Sequence, residues 1–157
     1  MTPDLDRLGA VLTGVEKRAS KLSWAKERPW QLQSHLWREK KVPTLDLHDL
    51  STRLSVEVVL AVEKLGPELE CGAVRFITGQ GGHSLGGKST VRHAVQRELE
   101  RMRGNHGWEY HPQGPGRFML IIDSEKAPSS AQSGLGLGFW LVALLFGAAI
   151  IAALVSG

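Results

Sequence analysis

Asp46 and His48 stand two residues apart in the stretch Thr44-Leu45-Asp46-Leu47-His48. In a strand, a period of two puts Leu45 and Leu47 on one face and Asp46 and His48 on the other. A carboxylate and an imidazole on one face suit general-base work: the carboxylate orients or charges the ring, and the ring takes the proton. A hydrogen-bonded pair with only a structural job is the plainer alternative. A second group lies in Arg75 to Val95, RFITGQGGHSLGGKSTVRHAV. Val74 to Thr78 is β-prone. A glycine-rich stretch with His83 and Ser84 follows, and helical spacing resumes at Val91, Val95, Leu99 and Met102. Backbone N–H groups in such a turn, together with the helix dipole, attract an anion, most often a phosphate. Thr78, Gly79, Gly81, Ser84, Gly86, Gly87 and Lys88 are the candidates for that cradle. Arg92, in the first helical turn, is the side chain best placed to add a positive charge. A flexible connector is the plainer reading, but glycine and histidine together exceed what a connector needs.

The same loop fits a competing motif. Gly82 to Ser89 matches G-x-x-x-x-G-K-[ST], and Phe118 to Asp123, FMLIID, resembles the acidic strand that accompanies it in nucleotide-binding proteins. Such proteins need a larger parallel sheet than the remaining chain can supply, so a nucleotide-hydrolysing site ranks below a plain phosphate site.

The elements that position these groups follow from periodicity and punctuation. Ser51 can cap a helix to about Leu65, with Leu54, Val58, Ala61, Val62 and Leu65 as its buried stripe and Gly66-Pro67 as its end. Thr44 to Thr78 is then one β-α-β unit with parallel strands and a right-handed crossover. Ligands of such units belong at the carboxyl ends of the strands, where Asp46, His48 and the glycine loop all lie. A second helix is expected over Ser89 to Arg103, closed by Gly104. Trp108 to His111 and Arg117 to Ile122, around Pro112-Gln113-Gly114-Pro115-Gly116, predict a closing hairpin.

The rest of the chain frames this unit. The 157 residues carry a formal net charge of +3, which fits a phosphate-rich partner, and one cysteine, Cys71, so no disulfide can form within the chain. Pro3 to Leu22 reads as a helix with Leu5, Leu8, Leu12, Val15, Ala19 and Leu22 on one stripe, docked on its own domain or on a protein partner. Asp4, Asp6 and Arg7 open it and no apolar stretch follows, so no secretory signal is expected. Ser23 to Pro43 mixes Trp24, Trp30 and Trp37 with Lys26, Arg28, Arg38, Lys40 and Lys41. This is an arm that either stacks bases or anchors irregular chain on a core. From Ala127 onward there is no charged side chain. Leu135 to Val155 is an apolar run that as a helix measures about 31 Å, the thickness of a hydrocarbon core. It is expected to be a single-pass C-terminal anchor in a lipid bilayer. Lys126 and Arg117 precede it and no basic residue follows, which places the folded domain on the cytoplasmic side.

From about Thr44 to Ile122 the chain resembles the small MutS-related (Smr) domain. The resemblance rests on LDLH at Leu45 to His48, TGxGxHSxGG at Thr78 to Gly87, the VRHAV that follows, and the terminal GPGRFMLI. It implies an α/β fold, an α+β two-layer sandwich of order β-α-β-α-β-β, like the C-terminal domain of bacterial translation initiation factor three. It also implies DNA or RNA as partner and, in many members, nicking or cleavage of it; other members are binders without catalysis. By resemblance Asp46 and His48 match the LDLH motif, and Thr78, Gly79, Gly81 and His83 the second motif, so Asp46, His48 and His83 are the catalytic candidates. The family usually has glycine where this chain has Asp49. Asp46 is alternatively a ligand for magnesium or manganese, since hard cations prefer oxygen; no zinc site is legible. The expected organisation is a helix and basic arm over 1–43, the Smr-like domain over 44–123, a linker over 124–134 and a transmembrane helix over 135–155.

Overall fold

The computed structural model describes residues 3–22, 25–79 and 89–132. In chain order the elements are α1 (Pro3–Ala19), α2 (Leu32–His35), β1 (Leu36–Glu39), β2 (Val42–Asp46) and α3 (Thr52–Leu65), then a 3-10 turn (Gly66–Glu68). After it come β3 (Ala73–Ile77), α4 (Thr90–His106), β4 (Glu109–Pro112), β5 (Arg117–Ile121) and α5 (Ser129–Gln132). The five strands form one mixed sheet in the order β1-β2-β3-β5-β4. Strands β2 and β3 are parallel, with Asp46 opposite Ile77; the other pairs are antiparallel.

Alternation within the strands separates two apolar layers. Leu45, Val74, Phe76, Phe118 and Leu120 face the helices, where Val58, Val59 and Val62 of α3 and Val95, Leu99 and Met102 of α4 complete the main core. Val42, Ala73, Met119 and Ile121 face the other way and pack with Ala127 and Ala131. The Ser51 hydroxyl caps α3 by accepting the Leu54 N–H at 3.3 Å, as its place before the apolar stripe predicts.

Several boundaries differ from the sequence expectation. Of the placements expected for the N-terminal helix and arm, docking on the chain's own domain is the one observed, with Trp30 anchored in the core. Leu8, Leu12 and Val15 of α1 belong to the main core, and Asp4 accepts the Glu70 and Cys71 N–H groups at 2.9 and 3.1 Å. An amphipathic stripe of this kind is stable only when another apolar face covers it, and α3 supplies that face. Part of the expected arm is β1, which adds a fifth strand and draws the start of β2 back to Val42 by pairing Glu39 with Val42. Helix α4 runs through Gly104 and stops at Gly107, whose φ of 70° and N–H bond to the Arg103 carbonyl at 3.1 Å make the left-handed cap. The stretch expected as a linker carries α5 and the buried Ala127 and Ala131. The expected membrane helix over 135–155 lies outside the described residues; among those described, no helix is long and apolar enough to cross a membrane.

Candidate active site at the carboxyl ends of β2 and β3

Asp46 is the last residue of β2, and His48 sits in the turn that follows. Asp46 Oδ1 accepts the backbone N–H of His48 at 2.9 Å and also contacts the ring at Nδ1. A carboxylate can only accept, so Nδ1 is the donor and carries the proton. In the neutral ring, Nε2 is then left with its lone pair, as a base requires. Asp46 is mostly buried and the His48 side chain half exposed.

The partner strand shapes the other wall. The Leu47 N–H bonds the Ile77 carbonyl at 2.8 Å and prolongs the β2–β3 pairing to the edge of the site. Thr78 donates its N–H and its hydroxyl to the Gly116 carbonyl, at 2.7 and 3.1 Å, tying the end of β3 to the β4–β5 turn. Gly79 has φ +71°, and His48 Nε2 lies 2.5 Å from where a Cβ on Gly79 would stand. Gly116, at φ +70°, leaves no room for a Cβ against the Gly79 carbonyl. The ring of His48, Gly79 and Gly116 therefore form a stack that only glycine permits at both lower positions.

Beyond the loop, the buried Ser89 caps α4 by accepting the Arg92 N–H at 3.1 Å. Thr52 donates its hydroxyl to that of Thr90 at 3.2 Å, so the first turns of α3 and α4 stand side by side. Both helix dipoles put their positive ends at this edge of the sheet. Arg92 is half-buried in the first turn of α4.

The structure thus brings together Asp46, His48, Thr78 and Gly79, with Arg92 one helical turn beyond the loop. Gly81, His83, Ser84, Gly86, Gly87 and Lys88 lie outside the described residues. Of the competing nucleotide-binding match, Ser89 is described and serves as a helix cap. The FMLIID strand is β5, antiparallel to β3, the opposite polarity from the parallel strands of a phosphate-loop sheet. Among the described residues no three His, Cys, Asp or Glu side chains gather to hold a metal. Burial pushes the Cys71 thiol up to about 11, which disfavours the thiolate.

Three residues visible in the sequence had no place at the site until the fold was known: Trp30 and Arg28 of the tryptophan-rich arm, and Gly116. Trp30 is buried, and its indole N–H donates to the Asp46 carbonyl at 2.7 Å, so the tryptophan pins the strand end that carries the site. Arg28 Nη1 stands 4.0 Å from Asp49 Oδ1. Gly116 was legible only as a turn residue. Asp49 itself has φ +64°, the left-handed region in which glycine is at ease. Aspartate tolerates the conformation better than most residues do.

No family model matches the chain, and no curated protein matches it. Among solved structures, it is similar to the solution structure of the Smr domain of NEDD4-binding protein 2. The identity there is 24% and the TM-score 0.41, over 56% of this chain and 93% of that one. It is also similar to the solution structure of the B3BP Smr domain, at 19% identity and a TM-score of 0.39, over 76% of this chain and 99% of that one.

Proposed function

We propose that the chain is an Smr-type nucleic-acid-binding protein that nicks or cleaves a phosphodiester backbone of DNA or RNA. The observation that carries the reading is the orientation of His48: Nδ1 is held on Asp46 and Nε2 faces Gly79 at the root of the glycine loop. His48 Nε2 takes a proton from water or from a ribose hydroxyl. The oxygen so activated attacks the phosphorus, and the leaving oxygen departs with a proton from solvent or a neighbouring acid. Loop N–H groups, His83, Arg92 and the paired helix N-termini stabilise the charge that builds on the phosphoryl oxygens, and Lys88 adds at most a supporting charge near the phosphate. Asp46 keeps the ring in the productive tautomer and orientation.

A second reading is a non-catalytic binder of nucleic acid or protein. It is favoured by Asp49, whose carboxylate stands beside the site and within 4.0 Å of Arg28. In either case the apolar run 135–155 tethers the domain to a bilayer, on the strength of its length and lack of charge.

The deciding experiment assays plasmid DNA, structured RNA and ATP separately, with and without magnesium or manganese. Cleavage of a polynucleotide is expected, lost in His48→Ala and largely kept in Lys88→Ala, with no ATP turnover. ATP hydrolysis abolished by Lys88→Ala overturns the proposal, because a phosphate-loop lysine contacts the β- and γ-phosphates directly. Tight binding without cleavage of any substrate establishes the second reading.

A further inference from the structure

A groove of about 810 Å³ lies over α4, a volume in the range of ligand sites. Thr90, His93, Arg97 and Glu100 line it from one face of the helix, at the spacing of successive turns. Thr52 of α3 lines it where the candidate site stops, beside Thr90. Gln96 and, from β4, Tyr110 line the other side. From Thr90 to Glu100 the helix rises about 15 Å.

The half of the groove next to the site is cationic. The stretch from Thr90 to Arg97 holds Arg92, His93 and Arg97 and no acid. Among the described residues no carboxylate pairs with Arg92 or Arg97, because the acids around them are engaged elsewhere. Glu57 of α3 meets Arg18 and Arg53. Glu98 meets Arg101, and Glu63 meets Arg101 and His106. Glu100, at the far end, meets Arg103 at 3.5 Å and the Tyr110 hydroxyl. Glu109 alternates with Tyr110 along β4 and stands beside His111 at 3.4 Å, on the other face of the sheet. An exposed guanidinium left without an acid, as at Arg97, is free to take a phosphate.

Tyr110 adds an aromatic surface. Its ring stands edge-on to Phe118, with 6.2 Å between centroids. Its hydroxyl is held by Glu100 and Gln96. The residue is half-buried, fixed against Phe118 on one side and open to the groove on the other. A fixed ring near an unpaired guanidinium suits a base and its phosphate. Bases within a duplex are stacked on one another, so such a ring selects unpaired nucleotides.

We propose that this groove binds an unpaired stretch of nucleic acid flanking the phosphodiester held at His48. Arg97 takes a phosphate, Tyr110 takes a base, and Thr52 and Thr90 mark the passage to the site. The substrate class is single-stranded or single-strand-tailed nucleic acid, not a continuous duplex. The inference rests on the nucleic-acid reading above.

The test titrates the full chain, in neutral detergent, with a fluorescent duplex that is blunt or carries a short unpaired tail of either polarity. One tailed form should bind several-fold tighter than the blunt form. Arg97→Gln should remove that advantage and leave blunt binding nearly unchanged. For the tailed form, the slope of log affinity against log salt should fall by about 0.7, the value of one phosphate on a single strand. Lys64→Gln makes the same charge change outside the groove and should keep the advantage. Iodouracil placed in the tail should photo-crosslink to Tyr110. Equal binding of tailed and blunt forms overturns the proposal and leaves the nucleic-acid reading standing. So does loss of the advantage in Lys64→Gln, or a crosslink to Trp37 in place of Tyr110. A chain that binds no polynucleotide overturns that reading and this inference with it.

Discussion

His48 Nε2 lies 2.5 Å from the position a Cβ on Gly79 would occupy, and Gly79 holds φ +71°. A methyl group there and the ring as placed exclude each other. Gly79→Ala should push the imidazole off Asp46 and add about 1–2 kcal/mol of left-handed strain. Cleavage should fall by roughly 10²-fold, the usual cost of misplacing a catalytic group by about 1 Å, with a lower melting temperature and nucleic-acid binding largely kept. Unchanged cleavage rates in this variant would show that the ring is not used where it stands.

Trp30 and Asp46 are joined by an indole N–H to carbonyl bond of 2.7 Å, with the indole buried. Trp30→Phe retains most of the ring's burial and removes the donor. The loss should be about 1 kcal/mol in chemical denaturation, with a lower kcat and little change in KM, because the bond positions the strand end and not the substrate. An effect confined to stability would make Trp30 a core residue only.

At Asp49, φ +64° and the nearby Arg28 pull in different directions. Asp49→Gly relieves the backbone and removes a negative charge beside the phosphate site. Stability should change by no more than about 1 kcal/mol. Affinity for an oligonucleotide should rise several-fold at low salt, with a steeper salt slope as Arg28 is released to the phosphates. A titration at two ionic strengths measures both, and weaker binding would contradict the electrostatic account.

Glu63 joins α3 to α4 by accepting from Arg101 at 2.6 and 3.1 Å and pairing with His106 at 2.7 Å. The Arg101 hydrogen bonds are the main reason that its carboxyl lies below the ordinary value of 4.5. A group with a lowered folded-state pKa binds its proton more readily when unfolded. Its stabilisation is therefore present above about pH 4.5 and lost as pH falls through the folded-state value. Glu63→Gln should cost about 1 kcal/mol at neutral pH, discounted because Arg101 is partly exposed. The two denaturation curves should converge in acid. Parallel curves down to low pH would remove Glu63 from the acid-sensitive set.

The sequence by itself determined the β-α-β unit, the second helix, the hairpin and the shared face of Asp46 and His48. Each of these is a local property. Period two sends Leu45 and Leu47 into the core and leaves the polar pair on the opposite face, whatever the strand packs against. Ser51 and Ser89 announce their helices because capping needs only the next turn. The Ser89–Arg103 estimate fell short because Gly104, a breaker by propensity, is carried through by the packing of Leu99 and Met102. Only tertiary structure decided that β1 joins the sheet, since its four residues gain their place by pairing with β2. Only tertiary structure put Trp30 beneath Asp46 and Gly116 beneath Gly79, contacts across 16 and 37 residues of chain. A carboxylate and an imidazole two residues apart can be read as a pair from spacing alone. The wall that confines the ring's free nitrogen comes from a different strand and a different turn, and no local pattern encodes where those arrive.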